Sequence, residues 1–254
     1  MKKDRGAPPL IPVSGFHGVR EALFHKRMRI RELWVQHGKT SPRAREILGL
    51  ARDQGIPVFS KPAGEITRLL PDVTHQGIVA LSEGFAYSDL DELLGIALRA
   101  GEKGLLVAAD HITDEGNLGA LIRTAGFFGA HGLIIPKDRS AGVTAKVLKR
   151  SSGTLASLPV ARIVNMGRGL DRLKAEGLWI IGTSGEGPES VYAFDWKRPL
   201  VLVLGNEQKG LTRTIKERCH QVVRIPIQGP VESLNVAVAA GAILSEIIRQ
   251  RGCP

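Results

Sequence analysis

At 254 residues, with 43% hydrophobic and 24% charged side chains, the chain has the length for one large or two modest domains and the composition of a protein that buries a core. It has neither the ~18-residue apolar run of a membrane span nor the apolar stretch of a signal peptide behind Lys2, Lys3 and Arg5, and its two cysteines, Cys219 and Cys253, are too far apart for a disulfide framework or a cysteine-ligated metal. The expectation is a soluble, cytoplasmic protein without metal or membrane, whose net charge of +10 favours a polyanionic partner, because each phosphate that is neutralised releases counterions.

In chain order, residues 18–24 read as a short helix, 30–35 as a strand, 42–52 as a helix, 58–59 as a short strand, 65–70 as a helical turn and 77–81 as a strand. This alternation predicts a small α/β module over residues 1–82 with one mixed sheet. The same residues hold 14 Lys/Arg against 7 Asp/Glu, so most of the net charge is theirs. The densest cluster is Lys26, Arg27, Arg29 and Arg31, with Arg43 and Arg45 downstream. A solvated basic face and a nucleic-acid surface both fit this pattern. Aromatics are few, and Trp34 and Phe59 fall in expected strands, so no stacking platform for single-stranded bases is evident. Residues 83–102 carry an acidic, Leu-rich amphipathic stretch and read as a linker with a helix.

From residue 103 the pattern becomes regular. Apolar runs at 105–109, 133–135, 158–160, 178–181, 200–204 and 222–227 alternate with helix-like segments at 118–128, 145–151, 167–175, 211–218 and 234–249. Short apolar strands between helices predict a parallel sheet covered on both faces, over residues 103–254. Such sheets bind ligands at the carboxyl ends of their strands.

Three familiar loops are excluded first. Gly185-Glu186-Gly187 opens like a dinucleotide fingerprint, but Pro188 and the aromatic run Tyr192, Phe194, Trp196 replace the helix it requires. Residues 205–212 hold Lys209 near glycines without the Gly-Lys-Ser/Thr order of a phosphate loop. Ser184 lacks the second glycine of a nucleophile elbow, since position 186 is Glu. What remains is a trio of segments, each at the end of an apolar strand. The first runs from Asp110 through Asp114, Asn117 and Gly119 to Arg123 and Ala125. The second is Leu204-Gly205-Asn206-Glu207-Gln208-Lys209-Gly210-Leu211, and the third runs from Ile225-Pro226-Ile227 through Ser233-Leu234-Asn235 to Ala240.

These segments resemble, in order, the three motifs of the SpoU/TrmH branch of the SPOUT RNA ribose 2′-O-methyltransferases. The stretch 135–141 and the basic first block look most like the members that modify a guanosine of large-subunit ribosomal RNA. The resemblance spans residues 14–251. The sequence departs from the pattern at Glu115, where many relatives carry Pro, and at Pro230 and Glu232, where small hydroxyl residues are usual. The resemblance implies a knotted α/β domain, S-adenosylmethionine bound at the knot as methyl donor, a homodimer that shares the active site, and structured RNA held by the first domain.

It also assigns residues. Thr183, Leu204, Gly205, Ile225, Ile227 and Leu234 would form the cofactor site, and Arg123, Asn117, Glu207, Ser233 and Asn235 the catalytic set. Gly205 suits a close backbone approach or a positive φ, with a plain strand-end turn as the alternative. The apolar members are equally suited to a core. Asn117 and Ser233 stand where helix caps are expected. Arg123 is an unusual base, because a guanidinium stays protonated. A grip on RNA phosphate and stabilisation of developing oxyanion charge suit it better, with phosphate or water accepting the proton. His111, a base by chemistry, is left out because the resemblance does not demand it. The alternatives to ribosomal RNA methylation are a tRNA ribose methyltransferase and a non-catalytic RNA-binding protein of the same fold.

Overall fold

The computed structural model describes residues 10–39, 41–71, 75–206, 209–231 and 233–252. The chain divides into two compact units, residues 1–86 and 87–254.

The first unit contains β1 (Ile11–Ser14), α1 (Phe16–His25), β2 (Met28–Gln36), α2 (Pro42–Asp53), β3 (Val58–Lys61), α3 (Ala63–Leu69) and β4 (Ile78–Phe85). Its strands lie in the order β1-β4-β2-β3, with β4 antiparallel to β1 and β2, and β3 parallel to β2. The mixed sheet expected from the sequence is present, with β1 in addition. Pro12 hides that strand, and an edge strand is where a sheet tolerates proline. The alternation of β2 buries Leu33 and Val35 on one face. On the other face Trp34 joins Ile66, Leu69, Val79 and Leu81 beneath α3. Ser41 caps α2 by accepting the Ala44 N–H, with Pro42 at the first helical position.

The second unit contains α4 (Leu90–Arg99), β5 (Leu105–Ala109), α5 (Glu115–Phe127), β6 (Gly132–Pro136), α6 (Ala145–Arg150), β7 (Val160–Ile163), α7 (Met166–Ala175), β8 (Trp179–Thr183), β9 (Glu189–Ser190), β10 (Leu200–Leu204), α8 (Arg213–Lys216), β11 (Gln221–Arg224) and α9 (Val236–Gln250). Its seven strands are all parallel, in the order β7-β6-β5-β10-β8-β11-β9. Every residue of β5, β6 and β10 is buried, as a sheet covered on both faces requires. The chain adds β6 and β7 on one side of β5 and then crosses over. It later returns so that β10 lies between β5 and β8. The direction of winding therefore reverses between β5 and β10, which is where an open α/β sheet leaves a crevice.

Several expectations shift. Residues 83–102 are not a separate linker region: residues 83–85 complete β4, and α4 belongs to the second unit. Asp89 caps that helix through the Glu92 N–H, and Leu93, Leu94 and Ala97 enter the second unit's core with Leu106, Ile134, Leu170 and Val201. The last strand stops at Arg224 instead of reaching residue 227, because Pro226 has no N–H to give a ladder. Residues 225–231 and 233–234 leave the sheet. The helix expected at 211–218 shrinks to the four residues of α8.

Candidate active site at the carboxyl ends of the central strands

Asp110 follows β5 directly and is fully buried. Its Oδ2 accepts the Thr212 N–H at 3.0 Å and the Thr212 hydroxyl at 3.1 Å. Its Oδ1 lies 2.6 Å from Nδ1 of His111, which places the imidazole proton on that nitrogen. A buried carboxylate needs this satisfaction on each oxygen. His111 adopts a left-handed φ of 58°, and its carbonyl accepts Nδ2 of Asn206 at 3.1 Å. The Asp110 N–H donates to Leu204 O at 2.8 Å. One side chain thus staples the turn after β5 to the turn after β10. The sequence signal was only a polar residue at the end of an apolar strand, and neither Asp110 nor Asn206 was expected in the site.

Gly205 sits in that second turn. Its φ is not positive; the freedom it uses is absence of a side chain. A Cβ there would collide with the backbone of Gly210 and Leu211, because the chain folds straight back on itself. Gly210, at φ 62°, donates its N–H to Asn206 O at 2.8 Å, and Asn206 N–H returns a bond to Gly210 O at 3.2 Å. The close approach expected at Gly205 is therefore made by its own chain.

Beside this turn opens a cavity of about 370 Å³, within the roughly 300–1,000 Å³ typical of small-molecule sites. Thr183, Leu204, Gly205, Ile225, Ile227 and Leu234 all line it, and so does Ser233. Thr183 spends its hydroxyl on Val203 O at 3.1 Å. Ile227 and Leu234 are 53% and 49% exposed, so they are apolar walls and not core. The main-chain N–H groups of Ile227, Gln228, Gly229, Ser233 and Leu234 find no acceptor among the described residues. Apolar walls with unspent main-chain donors suit a flat heteroaromatic group with a polar edge.

Two helices start next to this cavity's wall. Asp114 caps α5 by accepting the Asn117 N–H at 2.7 Å, and Asn235 caps α9 by accepting the Ala237 N–H at 3.0 Å. The caps are thus Asp114 and Asn235, not Asn117 and Ser233. Because Asp114 already serves as cap, the Asn117 side chain can face α9, and Nδ2 of Asn235 donates to its Oδ1 at 2.8 Å. Arg123 is exposed on α5, outside the cavity lining, and its side chain bonds to no described residue. Glu207 lies outside the described residues. Among the described residues no group of three His, Cys, Asp or Glu is placed to hold a metal, and no helix is long and apolar enough to cross a membrane.

Residues 104–245 match the model of the SpoU rRNA Methylase family, and residues 12–88 match that of the RNA 2′-O ribose methyltransferase substrate-binding domain. The chain is 40% identical to the 23S rRNA (guanosine-2′-O-)-methyltransferase RlmB of Pseudomonas aeruginosa, over 94% of this chain and 96% of that protein. It is 41% identical to an uncharacterized tRNA/rRNA methyltransferase of Mycobacterium sp. (strain KMS), over 86% of this chain and 70% of that one. Among solved structures, the SpoU methyltransferase AviRb from Streptomyces viridochromogenes in complex with the cofactor AdoMet is similar at a TM-score of 0.75 and 31% identity, covering 99% of this chain and 94% of that one.

Proposed function

The chain belongs to the SpoU rRNA methylase family and is an S-adenosylmethionine-dependent RNA 2′-O-methyltransferase, and from that premise we propose that its target is a guanosine ribose of large-subunit ribosomal RNA. The observation that carries the target is the first unit. The family's substrate-binding model matches residues 12–88, and the identity to the ribosomal RNA enzyme extends over 94% of the chain. Work on a ribosomal RNA substrate supports the reading that the protein acts in the cytoplasm.

The cavity's chemistry fits the cofactor. Ile225, Ile227 and Leu234 would sandwich the adenine while the main-chain N–H groups of Ile227, Gln228, Gly229, Ser233 and Leu234 read its edge, and Gly205 would hold the turn that shapes one wall. When bound, S-adenosylmethionine supplies a sulfonium methyl for in-line attack by a ribose oxygen. The protein's own work is to orient that oxygen and to tolerate the charge it develops. The Asn117–Asn235 bond fixes the start of α5 against the start of α9, so the helix that bears Arg123 keeps its position relative to the cavity. Arg123, exposed and without a partner among the described residues, grips an RNA phosphate next to the target ribose and stabilises the forming alkoxide. Ser233 contacts the ribose from the cavity side, and Glu207 orients the loops around it. The proton leaves to phosphate or water.

A homodimer belongs to the same proposal, as does the threading of the C-terminal segment through a loop of the second unit. Helices α5 and α9 pack together and expose Phe127 (82%) and Val238 (56%). Two such exposed apolar residues on neighbouring helices of a methyltransferase domain suit a twofold contact with a second copy.

The test is direct. Full-length protein, tritiated S-adenosylmethionine and deproteinised bacterial 23S rRNA should give one 2′-O-methylguanosine, mapped by nuclease protection and mass spectrometry. Methyl transfer to tRNA alone would replace the target, and cofactor-independent RNA binding without transfer would leave a binding protein of the same fold.

A further inference from the structure

The stretch 135–141 has no part in the cofactor cavity. It lies on the other side of β5, where β6 ends at Pro136 and residues 137–144 lead into α6. Main-chain bonds hold this connection tightly. Lys137 N–H donates to Ile163 O at 2.7 Å, and the Arg162 guanidinium donates to Lys137 O at 2.8 Å. Ala141 N–H and the Ser140 hydroxyl both donate to Ile112 O, at 2.8 and 3.1 Å. Val143 N–H donates to the Tyr87 hydroxyl at 2.7 Å, and Thr144 caps α6. The loop is therefore fixed to the turn after β5, two residues beyond Asp110.

What this fixed segment turns outward is positive charge. Lys137, Arg139, Lys146 and Arg150 are exposed, and none of their side chains pairs with a described residue. Asp138 is the one carboxylate within the segment. Elsewhere in the same unit, Arg172 pairs with Asp91 and Arg213 with Glu217. Arg150 also reaches the reactive helix. A Cβ at Gly119 would lie 2.6 Å from Cβ of Arg150, so only glycine lets α6 pack this closely on α5. Gly119 precedes Arg123 by one helical turn. Among the described residues 137–150 there is no exposed large hydrophobic, which disfavours a membrane or a protein hot spot and leaves a polyanion.

We infer that the β6–α6 segment is a track for RNA phosphates on the second unit, with Arg139 and Lys146 along it and Arg150 handing the strand to Arg123. The inference rests on the proposed RNA methylation and adds a substrate surface outside the first unit. Four cations in a rigid frame release counterions on binding without a large ordering cost, so their signature is salt dependence.

The experiment compares wild type with the triple variant Arg139→Gln/Lys146→Gln/Arg150→Gln, as full chains, by filter binding of deproteinised 23S rRNA across a KCl series. Calorimetry with S-adenosylmethionine checks the fold. The expected result is RNA affinity at least about tenfold weaker at low salt and a log–log salt slope smaller by about 2 to 3, with cofactor affinity kept. Arg150→Lys keeps the charge and should keep the slope. A wild-type slope and affinity in the triple variant would overturn the inference. Should the triple variant lose cofactor affinity, Arg139→Gln and Lys146→Gln made singly decide, each expected to lower the slope by about 1. Wild type that binds 23S rRNA with the expected charge dependence but leaves it unmethylated would unseat the target assignment and support the track.

Discussion

Strand β5 separates two regions that share its turn but follow different physics. Toward β10, β8 and β11 the strand ends enclose an apolar cavity whose shape is set by backbone meeting backbone, at Gly205 and Gly210. Toward β6 the strand ends carry a loop tied down through the N–H groups of Lys137, Ala141 and Val143, with the cations Lys137 and Arg139 turned outward. The first region depends on close backbone fit. The second would be tuned by charge. Arg123 stands on the helix that follows β5, between the two. On the proposed reading, a methyl donor that needs a close fit and a polyanion that needs counterion release would be handled by neighbouring parts of one sheet.

The largest expected effect comes from the residue between the regions. Arg123→Ala should slow single-turnover methyl transfer at saturating RNA by about 10²–10³, the scale of losing one oxyanion stabiliser, while cofactor affinity stays near that of wild type. Arg123→Lys should recover little if the planar fork matters and more if only the charge does. Turnover like that of wild type in the alanine variant would make Ser233 or Glu207 the leading candidate.

Next is Gly205→Ala, which should break only the apolar region. The added Cβ must open the turn against Gly210, at a cost of about 1–3 kcal/mol. Cofactor affinity by calorimetry should fall roughly 5- to 150-fold, with the RNA salt slope unchanged. A change in the slope would show that the two regions are not separable.

The smallest effect belongs to neither region and serves as their control. Glu246, at the far end of α9, is held down to about 2, first by the Arg249 guanidinium and then by Gln250, both hydrogen-bonded to its carboxylate. Because the folded value lies below the ordinary 4.5, its stabilising contribution is present above that pH and is lost as pH falls toward 2. Melting temperature should therefore drop more steeply below pH 4.5 in wild type than in Glu246→Gln, and neither cofactor nor RNA affinity should change at neutral pH.

The parallel sheet was legible because its strands are short, wholly apolar and separated by helices. The runs at 105–109 and 200–204 coincide with β5 and β10. Most of the cavity residues were legible because they stand at the ends of apolar strands: Thr183 and Leu204 close β8 and β10, and Gly205 and Ile225 directly follow β10 and β11. What was not legible depends on partners remote in sequence. The Asp110–Thr212 bonds span 102 positions and the Asn117–Asn235 bond spans 118, and no local pattern announces either. The caps were misplaced for a related reason: several polar residues crowd each helix start, and only geometry shows which one turns back. At Gly205 the sequence pattern did not show that the close approach is to Gly210 and Leu211, because a fold-back of the chain looks the same in sequence as a ligand contact. The role of Arg150 was hidden because α6 meets α5 only once Gly119 is in place.

The position of β10 also has a kinetic side. It pairs along its whole length with β5, joining strands that begin at residues 105 and 200, and on its other edge with β8. Until it inserts, β5 and β8 each present an unpaired apolar edge, with Leu105, Leu106 and Val107 on one and Ile180 and Ile181 on the other. Closing so long a loop around a central strand is slow compared with forming the local β–α units. The cavity, whose floor is the end of β10, is therefore among the last features to form, and the species just before it is the one most exposed to edge-to-edge association.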